Sequence, residues 1–136
     1  MKRVFISQPM RGKTDEEILA VKEACEKKCK ALFPDEEITF TSGFFKPDEL
    51  NVVDREIFGA LSDVQKPVWC LGKSIRVLGM SDAIYFADDW KDARGCVIEH
   101  DIAVAYGYPI IMNNEETELT ASEMAFEYLK DATESM

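Results

Sequence analysis

Arg94-Gly95, followed shortly by Glu99, is the part of this sequence whose residue types and spacing could do chemistry. The stretch RGCVIEHDIAVAYG, Arg94 to Gly107, has apolar residues at helical spacing. A carboxylate near a helix start feels the dipole and the unpaired N–H groups there, which favour its ionised form. Partly desolvated and facing a cleft, such a group can attack an anomeric carbon. It would support an oxocarbenium-like transition state and then hold a glycosyl ester. The same dipole makes acids common in functionless first helical turns. Spacing alone therefore leaves Glu99 either a nucleophile or a solvated helix residue.

The loop before it, DDWKDARG, carries Asp88, Asp89 and Asp92. Paired carboxylates do the acid and base work of glycoside chemistry, so one of the three can protonate or orient a leaving group. Asp92 is named as a candidate, the residues do not decide among the three, and a solvated acidic loop is the ordinary reading of at least two of them. Trp90 can stack on a base or sugar, or equally serve a core or subunit interface. Phe44 and Phe45 carry the same ambiguity. His100 adjoins Glu99, and neighbouring helix residues do not share a face, so a structural role suits it better than a general-base role.

A second loop, SQPMRG, offers Ser7, Met10, Arg11 and Gly12 as ligand contacts. Gly12 frees the backbone, Arg11 supplies a cation, and the next helix start presents unpaired N–H groups. Together they suit a phosphate or a sugar hydroxyl. The pattern is neither a Walker nor a Rossmann glycine motif, and a plain strand-to-helix turn reads the same way.

The elements that must position these residues follow from the hydrophobic pattern. Val4 to Ser7 reads as a strand. Thr14 starts a helix with Glu17 at capping-box spacing, its apolar stripe is Ile18, Val21, Cys25, Cys29 and Leu32, and Pro34 ends it. Ile38 to Thr41 is a second strand. A helix is expected near Val52 to Leu61, another over Trp69 to Gly79, and a buried strand over Ala83 to Ala87. A helix over Cys96 to Tyr106 should press Ile98, Ile102 and Ala105 on the sheet. A strand over Pro109 to Met112 and an acidic helix from Thr120 follow. Alternating strands and helices predict an α/β fold: four parallel strands, or five, with helices on both faces. Ligands bind such sheets beyond the carboxyl ends of the strands, where SQPMRG and DDWKDARG both fall.

The whole chain narrows the function. Its 136 residues suit a single domain over residues 1–136, and 46% apolar content supports a core. A net charge of −10 argues against binding nucleic-acid backbones or anionic membranes. It leaves room for a small anion held by local cations. Four cysteines in no Cys-x-x-Cys pair and a single histidine make a zinc site improbable, and no metal or cofactor is expected. Cys25 and Cys29, one helical turn apart, read as reduced and partly buried. The first apolar run is too short for a signal peptide, and no run approaches a membrane span, so a cytoplasmic protein is expected.

PMRG after the first strand, with DAIYFADDW running into ARGCVIEHDIAVAYG, resembles the nucleoside 2-deoxyribosyltransferase superfamily. The likeness is closest to its small bacterial and phage branch and extends to the deoxynucleoside 5′-phosphate N-hydrolase. Element order agrees over most of the chain, while the specific match is PMRG and Asp82 to Gly107. The resemblance implies a flavodoxin-like three-layer α/β sandwich, a homodimer or an assembly of dimers, and a nucleoside or nucleotide substrate. It implies that Glu99 attacks C1′ and releases the base, the sugar passing to another base or to water. It places Arg11 and Gly12, and Arg94 and Gly95, at the ligand. Three positions depart from the family pattern. Phe5 stands where members have a tyrosine touching the nucleophile, Ser74 is nearest to an aspartate that assists the base, and Ala93 replaces a serine of the hydrolase's phosphate loop. Asp92, Asp89 and Ser7 are the candidates to stand in. The same departures leave a second expectation, a module on this fold that binds or senses a nucleotide without turning it over.

Overall fold

Val4, Phe5 and Ile6 are all buried, as a strand covered on both faces requires. In the computed structural model, which describes residues 1–113, they belong to the inner strand β1 (Lys2–Ser7). It pairs in parallel with β2 (Ile38–Ser42) on one side and β3 (Ala83–Phe86) on the other, and β4 (Ile110–Met112) pairs with β3. The order is β2-β1-β3-β4, all parallel, the four-stranded parallel sheet expected from the alternation of strands and helices.

Alternation along the strands splits the core in two. Val4, Ile6, Tyr85 and Ile111 pack with Cys25, Cys29 and Phe33 of the first helix region. Phe5, Ile84 and Phe86 face the other way, against Leu78 and Ala103. The helices on that second face are α3 (Gln65–Leu78) and α4 (Arg94–Tyr106). The sheet thus lies between α1 (Asp15–Leu32) and the α3–α4 pair, three layers in all. A shorter helix, α2 (Val52–Ala60), belongs to the excursion after β2, where Phe45, Phe58 and Trp69 pack edge-on or tilted within 6.3 Å.

The start of α1 is set by its capping box: Glu17 N donates to Thr14 Oγ1 at 3.2 Å, and Thr14 N donates to Glu17 Oε1 at 3.3 Å. Thr14→Ala is expected to cost about 1 kcal/mol, read as a lower midpoint in urea unfolding with the slope unchanged.

Several expectations needed correction. Val21 is exposed, so the inward stripe of α1 is Ile18, Cys25 and Cys29. The third helix begins at Gln65, because Pro67 sits in its first turn, where a missing N–H costs nothing. Helix α4 begins at Arg94 and is turned about its axis. Cys96, Glu99 and Ala103 face inward, whereas Ile98 is exposed and Ala105 points outward. Its end lies where expected, with Gly107 at φ 75° and Tyr108 N donating to Ala103 O at 2.9 Å. Four strands are present among the described residues, and the helix expected from Thr120 lies outside them. Among the described residues no helix is long and apolar enough to cross a membrane.

Candidate active site

Sheet order reverses at β1 and β3, one of which is followed by SQPMRG and the other by DDWKDARG. Such a switch point opens a crevice beyond the carboxyl ends of the strands. A cleft of about 1540 Å³ lies there. Glu99 reaches its floor from α4 and is only 5% exposed.

Each oxygen of that carboxylate accepts one hydroxyl. Ser7 Oγ donates to Oε1 at 2.8 Å, and Ser74 Oγ donates to Oε2 at 2.5 Å. Ser7 is there because it follows Phe5 by two on β1 and so shares the face that α3 and α4 cover. Ser74 is there because it lies one turn before Leu78 on the buried side of α3. Phe5 and Ser74 thus take different parts. Ser74 holds Glu99 directly, while Phe5 packs into the core and Ser7 supplies the second hydroxyl.

Glu99 is the sixth residue of α4, beyond the turn whose N–H groups are unpaired, so the helix start does not hold it ionised as its sequence position suggested. Burial pushes its pKa above the usual carboxylate range, opposed by the hydroxyls of Ser74 and Ser7. Cys96, like Cys25, is a buried thiol lining the cleft. Burial pushes its thiol up to about 11, with the Ser7 hydrogen bond lowering it and the Glu99 charge raising it. At neutral pH the thiol keeps its proton, so the carboxylate is the better nucleophile.

Gly43 makes this arrangement possible. A Cβ there would overlap both Cβ and Oγ of Ser74, so the chain after β2 can approach α3 only without a side chain. Gly43→Ala is expected to displace Ser74, cost about 1–3 kcal/mol of stability and lower turnover roughly tenfold. Thermal melts and initial rates on the same preparation check both effects.

Of the residues singled out in the sequence, Met10, Arg11, Asp92, Arg94, Gly95 and Glu99 all line the cleft. Ser7 lies beneath it, tied to Glu99. Gly12 is not among the lining residues; its φ of 77° turns the loop there. Trp90 is not among them either: it stacks on His100 with ring centroids 4.5 Å apart and packs on Phe86 at 4.8 Å. Asp88, Asp89 and Asp92 are exposed at the rim, and Asp89 turns the loop with a left-handed φ of 63°.

Sequence reasoning did not single out Gln8, Gly43, Lys13, Lys28 or Asn113, which also line the cleft. Strand alternation and the glycine after β2 were usable signals for the first two. Ala93 at the N-cap of α4 has no capping side chain, and the opening residues Arg94, Gly95 and Cys96 line the cleft. Their N–H groups, with Arg11, Lys13 and Lys28, can meet an anionic group. No protein-family model, curated protein or solved structure matches this chain.

Proposed function

We propose that this protein cleaves or transfers the N-glycosidic bond of a nucleoside or nucleotide, with Glu99 as nucleophile. The observation that carries the proposal is the buried Glu99 carboxylate at the floor of a wide cleft, each oxygen held by one serine hydroxyl. The sequence resemblance to the nucleoside 2-deoxyribosyltransferase superfamily points the same way.

In this reading a Glu99 oxygen attacks C1′ and the C1′–N bond breaks. The electron pair leaves on the base nitrogen, which takes a proton from Asp92 or from solvent. The sugar stays on Glu99 as an ester. Water or a second base then attacks C1′, giving up its proton to Asp92 or to solvent, and the ester C1′–O pair returns to the carboxylate. Ser7 and Ser74 keep the carboxylate oriented through both steps, the preorganisation that makes such attack fast. A 5′-phosphate would rest on Arg11, Arg94 and the uncapped start of α4.

The test is base release by chromatography from pooled nucleosides and their 5′-monophosphates, with and without an added free base. Release identifies a hydrolase, and exchange with the added base identifies a transferase. No release from any pool would contradict the proposal.

A binding module is the second reading. It is favoured by the absence, among the described residues, of a carboxylate partner on Glu99, whose hydrogen bonds there come from two serines. It predicts thermal stabilisation by a nucleotide without product. A homodimer also belongs to the proposal. Val64, Val68 and Ile98 line the cleft while exposed, an apolar rim suited to a second copy. Light scattering giving a monomer mass would contradict it.

A further inference from the structure

Gln8 immediately follows the serine that holds Glu99, and it is 4% exposed at the cleft. Its Nε2 donates to Ile18 O at 2.8 Å, which fixes which end of the amide is nitrogen. Its Oε1 is buried and accepts no hydrogen bond among the described residues. A buried acceptor without a donor is costly, and folded chains keep few of them. The amide is planar, so a ligand group that draws this oxygen toward the cleft exchanges the Nε2–Ile18 O bond for its own hydrogen bond to Oε1.

We propose that Gln8 is a specificity-determining residue whose Oε1 accepts a hydrogen bond from a hydroxyl of the bound pentose. This rests on the nucleoside reading of the Glu99 site. Oε1 is a neutral acceptor, so it repels phosphate oxygens and base carbonyls and calls for an O–H or N–H. Gln8 and Glu99 line the same cleft, Gln8 bonded to α1 and Glu99 carried on α4. A pentose whose C1′ meets Glu99 presents its hydroxyls in the space between these two walls, whereas the exocyclic amine of a base lies on the edge far from C1′. The site then distinguishes pentoses by the hydroxyl they carry, because a ligand lacking it leaves the buried acceptor unpaired.

The experiment compares wild type with Gln8→Met on a parent nucleoside, its 2′-, 3′- and 5′-deoxy analogues, and an analogue lacking the exocyclic amine. In wild type, removing the hydroxyl that Gln8 reads is expected to lower kcat/KM about 10- to 100-fold. Gln8→Met loses a similar factor on the parent and no longer distinguishes the two. A purely structural role for Gln8 would lower every rate and leave the ratios unchanged, which would overturn the proposal. A ratio that collapses only for the amine would overturn the pentose assignment in favour of the base. Gln8→Glu, which keeps an oxygen acceptor, is expected to retain the discrimination and serves if Gln8→Met does not fold. Absence of turnover in wild type would mark failure of the glycosidic chemistry instead. The same comparison is then made by calorimetry, where equal affinities for parent and analogues, or no binding at all, overturn the role of Gln8.

Discussion

Glu99→Gln is expected to lose base release by about a thousandfold or more and yet to melt at a higher temperature than wild type at neutral pH. The two effects have one origin. A glutamate in the unfolded chain gives up its proton near about pH 4.3. Burial of Glu99 holds the proton to higher pH in the folded chain. Between the two values the folded state binds more protons than the unfolded one. That preference stabilises the fold fully below the unfolded value and is lost as pH rises through the folded value. Glutamine keeps the shape and one acceptor oxygen, its N–H can donate to the other serine once that hydroxyl turns, and it has no charge to desolvate. Its stability advantage should therefore grow with pH and disappear in acid, as melts across a pH series would reveal. Activity runs the opposite way, because the attacking carboxylate must be ionised. The acid limb of kcat/KM should lie above the ordinary carboxylate range.

Ser74→Ala and Ser7→Ala carry the second large effect. Each removes one of the two hydroxyls that lower the Glu99 pKa against its burial. Hydrogen bonds to a charged group are worth about 1.5–3 kcal/mol. Each variant should therefore lose about 10- to 100-fold in kcat/KM at neutral pH, and its acid limb should move to higher pH. The pH profile separates this from mere misfolding, which would lower the plateau and leave the limb in place. An unmoved limb in both variants would contradict the roles given to the two serines.

What the sequence made legible follows the same physics. The capping box at Thr14 and Glu17, the stop at Pro34 and the left-handed Gly107 are local signals, and they mark helix ends closely. The alternation of strand and helix patterns led directly to the parallel three-layer fold. The face of α4 was not legible. RGCVIEHDIAVAY is apolar on nearly every side, so helical period alone chose Ile98 and Ala105 for the sheet, whereas packing chose Cys96, Glu99 and Ala103. That rotation turns Glu99 from a rim residue into a buried one. Ser74 and Gly43 depend on the approach of two segments distant in sequence, which no local pattern encodes. The burial of Gln8 has the same origin.

The most direct test of the central claim is to trap the glycosyl–enzyme ester. A 2-deoxy-2-fluoro nucleoside slows the second displacement more than the first when the sugar is held by a carboxylate. After incubation and digestion, mass spectrometry of the segment containing Glu99 should show the added fluoropentosyl mass on that residue, absent in Glu99→Gln. Base release without any label at Glu99, at a rate that Glu99→Gln preserves, would contradict the account.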